Sequence, residues 1–280
     1  MRASLLSAVL VLPALLLVGC LFLVPIGRLA ALSLEAPHLT LDAYVGLFAA
    51  ADYLEILLRT LRVSAIVMAA CVLLGYPLAY LMAKCRGRLR ALIVFLVLLP
   101  FWTSLLVRNY AWVYLLQRRG VVNEMLLSLG VISSPLPLMF NEFGVVLGMT
   151  NALLPFMVLP IFVALQAQDK ALVEAASSLG AGPSTGFLKI TLPLSLSGVT
   201  AGCLIVFATA LGFYVTPALL GGGRVLLAAT HIAREIEETL NWPMAAAASM
   251  VLLLVVAAII GLYRKVVGTD GLAGLGDGSA

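Results

Sequence analysis

Six long runs of predominantly apolar residues, 5–29, 56–83, 91–117, 143–166, 194–217 and 243–263, set what this chain can fold into. Each is as long as the roughly 20 residues that carry a helix across a hydrocarbon layer of about 30 Å. Inside that layer no water satisfies backbone N–H and C=O groups, so a run of this length crosses as a helix. The expected fold is therefore all-α, a polytopic integral membrane protein with six transmembrane helices in one domain over residues 1–280. Composition excludes the soluble alternative: 63% of residues are hydrophobic and 11% charged, with a mean hydropathy of +1.14, whereas soluble domains carry about 25% charge. The net charge of +4 is small for the length. In a membrane protein such basic residues mark one side of the bilayer, and nucleic acid is not an expected partner.

The first run begins one turn after Arg2 and is longer than the ~7 to 15 residues of a signal-peptide core. Pro13 and Pro25 lie inside it without a small-residue cleavage pattern, so it reads as a retained span. Residues 33–55 carry Glu35, Asp42, Asp52 and Glu55 and no Lys or Arg, which suits an external segment with a surface helix over 42–51. Arg59 and Arg62 open the second run, where long side chains snorkel to the interface. Residues 118–142 read as an external connector with a short amphipathic helix over 123–129. Gly212, Pro217 and Gly221-Gly222-Gly223 loosen the outer end of the fifth run. After a charge-mixed external stretch, 224–240, Trp242 suits the interface and Pro243 a first helical turn. The glycine-rich tail, 264–280, is expected to be disordered.

Charge orients the chain. With the amino terminus inside, Arg2, Lys84, Arg86, Arg88, Arg90, Lys170, Lys189, Arg264 and Lys265 face the cytoplasm, against Arg118, Arg119, Arg224 and Arg234 outside. The reverse topology violates the positive-inside rule. Both termini, the Lys84–Arg90 turn and the polar stretch 168–193 between the fourth and fifth runs are then cytoplasmic.

That stretch has its own local logic. Asp169 can cap a helix, Leu172, Ala175, Ala176 and Leu179 share one face, and Gly180 is placed to end it. Gly182-Pro183-Ser184 can start a second short helix. Such a pair is either an ordinary hairpin or a knob that docks in another protein's groove.

The order Glu174-Ala175-Ala176, three residues, Gly180, nine residues, Ile190-Thr191-Leu192-Pro193 resembles the EAA loop of permease subunits in bacterial binding-protein-dependent ABC importers. The resemblance implies that this loop docks on an ATP-binding subunit, itself a dimer, through Glu174, Ala175, Ala176, Gly180, Ile190, Leu192 and Pro193. It further implies a second homologous permease subunit, a periplasmic solute-binding protein and residence in the bacterial inner membrane among its lipids. The stretches Leu74–Tyr80, Val107–Trp112, Leu154–Pro160 and Phe213–Gly222 are similar to the spermidine/putrescine branch. Branches for iron(III), sulfate, phosphonates and opine-like solutes share much of this background.

The six runs contain no Asp or Glu. A polyamine would have to pass aromatic faces, and Trp102, Tyr110, Trp112, Tyr114, Phe213 and Tyr214 are the candidates for its path. Arg108, also in the third run, would repel a cation or attract an anion unless buried against a partner. No catalytic residue, cofactor or metal site is expected: the phosphate-gripping Gly-x-x-x-x-Gly-Lys-Ser/Thr is missing. His38 and His231 stand apart, and Cys20, Cys71, Cys85 and Cys203 lack paired spacing. A membrane enzyme or secondary carrier would need intramembrane acids.

Overall fold

The computed structural model describes residues 2–35, 39–49 and 51–267. His38 and the tail from residue 268 lie outside them. All regular elements among the described residues are helical: α1 (Arg2–Ser33), α2 (Asp42–Ala49), α3 (Ala51–Lys84), α4 (Gly87–Trp102), α5 (Leu105–Leu116), α6 (Val121–Ser128) and α7 (Glu142–Gln166). Then come α8 (Lys170–Ser178), α9 (Pro183–Gly186), a π-helical turn (Phe187–Thr191), α10 (Leu192–Leu211), α11 (Val215–Gly221), α12 (Ala228–Glu237) and α13 (Trp242–Val267). Five of these helical stretches are long and apolar enough to cross a membrane, or six if the bent pair Gly87–Trp102 and Leu105–Ser128 is one span.

The chain forms two compact units. The first joins Met1–Ile56 to His231–Val255. Its core is small: Ala43 and Leu47 of α2 and Tyr53 of α3 pack with Ala247 and Ala248 of α13. The run of alanines lets backbones approach closely, and the Tyr53 hydroxyl donates to the Ala248 carbonyl at 3.2 Å. In α1, Leu15, Leu16, Leu17, Val18, Leu21, Phe22, Leu23 and Val24 are exposed on every side, an apolar surface that only lipid or another chain can cover.

The second unit, Leu57–Thr230 with the residues from Val256 onward, is organised around α7. Val145, Met149, Met157, Val158 and Ile161 of α7 are fully buried, as expected of a helix apolar on all sides. Its main partner is α10, where Gly198 and Gly202 stand four residues apart. A Cβ on Gly198 would fall 2.5 Å from the Pro160 carbonyl, and one on Gly202 would fall 2.7 Å from Met157 Sδ. This is small-residue packing of two membrane helices, where loss of a side chain permits contact that no hydrophobic force supplies in lipid.

Four readings of the spans and their ends are corrected. The run 91–117 is not one helix: α4 and the following helical stretch meet at 101°. Pro100 lacks an N–H, and Thr103 and Ser104 are extended at ψ 137° and 134°, which ends α4. The run 194–217 also breaks, because α10 stops at Leu211 and Pro217 lies inside the separate α11. Finally, α13 continues to Val267, so Arg264–Val267 are helical. The start of α3 at Ala51 likewise takes 51–55 out of the external connector.

Arg59 and Arg62 do more than snorkel. Both guanidinium groups face Glu142 in the first turn of α7, Arg59 Nε at 3.8 Å and Arg62 in direct hydrogen bonding. Glu142 also sits where a helix start favours negative charge.

Candidate functional site

The loop between α7 and α10 folds into a knob. Asp169 Oδ1 accepts from the Ala171 N–H at 2.9 Å and caps α8. At the other end the Gly180 N–H donates to the Ser177 carbonyl at 3.0 Å and the Ala181 N–H to the Ala176 carbonyl at 2.9 Å. That pair of bonds is a Schellman closure, and it demands the left-handed φ of +85° that Gly180 adopts. Pro183 then occupies the first turn of α9, where its missing N–H costs nothing. Val173 of α8 touches Gly186 of α9, whose Cβ would sit 3.9 Å from Val173 Cγ1.

Rigid supports hold this knob. Gln168 Nε2 donates to the Thr191 carbonyl at 3.0 Å, which ties the foot of α8 to the π-helical turn. Phe187 of that turn meets the rings of Tyr76 and Tyr80 edge-on at 6.0 and 5.2 Å. The Tyr76 hydroxyl pairs with Ser195 Oγ at 2.9 Å, and Ser195 Oγ donates to the Leu192 carbonyl at 2.8 Å. Lys84 Nζ lies 4.5 Å from the Tyr80 ring centre. The basic turn after α3 and the knob therefore share one end of this unit.

The motif residues separate into presenters and supports. Glu174 and Ala175 are exposed and Ala176 half-buried, while Leu179 is 90% exposed beside Gly180. Ile190 and Leu192 are half-buried in the π turn and the start of α10, and Pro193 is exposed. One half of the motif thus offers a surface, and the other roots it in a long helix.

Of the seven residues expected along a solute path, Trp102, Arg108, Phe213 and Tyr214 lie at or next to the two helix breaks, and Tyr110, Trp112 and Tyr114 lie along α5. Trp102, 70% exposed, ends α4, and Phe213 and Tyr214 fill the break between α10 and α11. Tyr110 and Tyr114 of α5 are exposed. Trp112 is half-buried, donates through Nε1 to Asn151 Oδ1 at 3.5 Å, and lines a cavity of about 350 Å³ with Thr150 and Phe143. Arg108 faces the break itself. Its guanidinium donates to the Pro100 carbonyl, to the Thr103 carbonyl at 3.1 Å and to Thr103 Oγ1 at 3.0 Å, so its donors satisfy backbone that the end of α4 leaves open.

Sequence reading missed Asn109 and Thr216. The Asn109 side chain spans from the Leu105 carbonyl, 3.0 Å from Nδ2, to the Thr216 hydroxyl, 3.0 Å from Oδ1. Gly148 makes room for them, since its Cβ would lie 2.7 Å from Thr216 Cγ2. A polar residue inside each broken run was the available signal. Gly198-x-x-x-Gly202 was legible as a helix-packing pair and was also passed over. Among the described residues no cluster of three or more His, Cys, Asp or Glu could hold a metal.

Known proteins resemble this chain in sequence and in fold. The sequence profile of the binding-protein-dependent transport system inner membrane component family matches residues 75–265. The spermidine/putrescine transport system permease protein PotB of Haemophilus influenzae is 38% identical over 227 residues, 81% of this chain and 79% of that protein. The molybdenum transport system permease protein ModB of Mycobacterium bovis is 33% identical over 217 residues, 76% of this chain and 80% of its own length. The crystal structure of a bacterial alginate ABC transporter, in complex with an alginate pentasaccharide-bound periplasmic protein, superposes with a TM-score of 0.78 at 21% identity, over 94% of both chains. That last likeness concerns the fold. The chain belongs to the family of inner membrane components of binding-protein-dependent transport systems.

Proposed function

We propose that this chain is the permease subunit of an ABC importer that moves a polyamine of the spermidine/putrescine class from a periplasmic binding protein into the cytoplasm. The observation that carries the importer reading is the Schellman-closed knob, with Leu179 presented beside Gly180 and Gln168 anchoring its foot. A separate ATP-hydrolysing dimer grips Glu174, Ala175, Ala176 and Gly180. The rigid connection through Ile190, Leu192 and Pro193 into α10 passes its movement to the membrane helices. A second homologous permease covers the apolar faces this chain leaves open. The basic turn and knob, sharing one end, face the cytoplasm together with both termini.

The polyamine assignment draws on the similarity to PotB and on Arg108. Because the guanidinium is turned onto the Pro100 and Thr103 oxygens, its donors are occupied at the break and it offers an anion no free fork, while its positive charge is retained. Trp102, Tyr110, Trp112, Tyr114, Phe213 and Tyr214 supply faces worth about 0.5 to 2 kcal/mol each to a desolvated cation. Such weak sites release what they receive. The rival reading is an oxyanion importer, favoured by the similarity to ModB.

Uptake into vesicles carrying the reconstituted importer, offered labelled putrescine, spermidine, sulfate and molybdate in parallel, decides between them. Accumulation of the two polyamines is expected, and Trp112→Ala or Tyr214→Ala should slow it without changing the preference. Accumulation of the anions alone would overturn the polyamine reading.

A further inference from the structure

The π-helical turn Phe187–Thr191 joins the knob to α10, and π turns are rare and recur at functional sites. Side chains bond to the two carbonyls at its end. Gln168 Nε2 donates to the Thr191 carbonyl at 3.0 Å, and Ser195 Oγ donates to the Leu192 carbonyl at 2.8 Å. A serine hydroxyl carries one hydrogen, and Ser195 gives it to Leu192, so in the 2.9 Å pair with Tyr76 the tyrosine is the donor. Tyr76 of α3 thus opens a chain, through Ser195 to the Leu192 carbonyl, that ends on the root of the knob. Ser195 is fully buried, where a polar group depends on partners within the protein.

Phe187 makes a second attachment. Tyr76 and Tyr80 stand four residues apart on one face of α3, and Pro77 lies between them. Pro77 has no N–H for the carbonyl one turn earlier, which makes this the point where α3 bends most easily. The Phe187 ring meets both tyrosine rings edge-on, one on each side of the proline, and so splints the helix there. From Tyr76, α3 continues for about 21 Å to Arg62, at 1.5 Å per residue. There Arg59 and Arg62 face Glu142 at the start of α7. One helix therefore runs from the root of the knob to an ion-pair cluster at the opposite end of this unit.

We infer that Tyr76 is a positioning residue for energy coupling. Through its hydroxyl on Ser195 and its ring on Phe187, displacement of the knob moves α3 together with α10, and α3 carries that movement past Pro77 toward Glu142. The role rests on the proposed docking of the knob on an ATP-hydrolysing subunit. If Tyr76 only filled space, α10 alone would carry the movement. A cleft of about 520 Å³ beside the rings, lined by Tyr76, Tyr80, Pro183, Ser184 and Phe187 among others, has room for a hydroxyl added to Phe187.

The reconstituted importer tests this, with moles of solute imported per ATP hydrolysed as the readout. A photoactivatable amino acid in place of Leu179, on an otherwise wild-type chain and on each variant, checks docking by cross-linking to the ATP-hydrolysing subunit. Tyr76→Phe keeps the ring and removes the donor, and should lower the ratio about fivefold with the cross-link retained. Ser195→Ala removes the acceptor of the same bond, so the double variant should be no worse than Ser195→Ala alone. Phe187→Leu should also lower the ratio, and Phe187→Tyr, which keeps the ring, should restore it; this pair tests the attachment even if Ser195→Ala fails to assemble. In Tyr76→Phe the transport rate should fall while the KM for the loaded binding protein stays at its wild-type value. A wild-type ratio in Tyr76→Phe or Phe187→Leu, additive losses in the double variant, or a raised KM with an unchanged rate would overturn the role of Tyr76. Absence of the cross-link in the otherwise wild-type chain would overturn the docking itself, and the role of Tyr76 with it.

Discussion

The Thr216 hydroxyl donates to Asn109 Oδ1 at 3.0 Å, and both side chains are buried. One residue belongs to α5 and the other to α11, the short helices that follow the two breaks. The bond joins the broken spans to each other across α7, where Gly148 leaves the space they occupy.

Thr216→Val should therefore leave the Asn109 oxygen buried without its partner. Unsatisfied buried groups cost about 1 to 3 kcal/mol, although hydrogen bonds within membranes average only about 0.6 kcal/mol. A loss near 1 kcal/mol is expected in denaturant or thermal unfolding of the purified importer, with Thr216→Ser close to wild type. An unchanged transition for Thr216→Val would remove the clamp from this account.

The two glycines of α10 should differ in sensitivity. Gly198→Ala forces a Cβ to 2.5 Å from the Pro160 carbonyl and 2.9 Å from the Ile161 Cα, whereas Gly202→Ala meets the flexible but buried Met157 side chain at 2.7 Å, with Met157 backbone no nearer than 3.3 Å. Overpacking typically costs about 1 to 3 kcal/mol. Gly198→Ala is expected near the top of that range and Gly202→Ala near the bottom, as measured by the unfolding midpoint of the assembled complex.

In the knob, Gly180→Ala is expected to cost about 1 kcal/mol because φ is +85°. Gly182→Ala should be silent, since φ is −69° and nothing lies within 4 Å of a new Cβ. The readout is moles of solute imported per ATP hydrolysed. Glu174→Arg should lower that ratio with insertion intact, and a normal ratio in both Gly180→Ala and Glu174→Arg would argue against a coupling role.

Arg108→Gln removes a charged fork from the end of α4, and Arg108→Lys keeps the charge but not the fork. Both should slow uptake if the role is to hold the break. Normal uptake in Lys and none in Gln would mean that charge alone matters.

His231 provides a pH dependence on the first unit. Burial lowers its pKa below the usual 6.5, opposed by Glu235 and aided by Arg234, and its ring lies 5.6 Å from that of Tyr53. A histidine with a depressed folded pKa favours the fold in its neutral form. That contribution is complete above pH 6.5 and lost as pH falls through the lower folded value. Hydrogen exchange of amides 231–238, corrected for intrinsic rates, should quicken on acidification, and His231→Gln should flatten the response.

Hydrophobic run length and charge were enough to read an all-helical membrane protein, because the bilayer leaves a long apolar segment few alternatives. The knob was legible for a similar reason: Asp169, Gly180 and Pro183 act within a few residues of themselves through caps and φ angles. The break at Thr103–Ser104 was not, since it lies in a stretch read as one continuous span, and at Gly212–Tyr214 Gly212 and Pro217 signalled only a loosened outer end, not a separate helix. Whether a helix bends there depends on what satisfies the exposed carbonyls and what the displaced piece packs upon. Arg108 folds back on Pro100 and Thr103, and Asn109 finds Thr216 from a distant span. Likewise Arg59 and Arg62 found Glu142, a partner some 80 residues away in sequence. Local composition determined which segments enter the membrane and where the knob forms; where the spans bend was decided by side-chain contacts of the folded chain, short-range for Arg108 and from a distant span for Asn109 and Thr216, because only the folded chain brings donors to the groups a bend exposes.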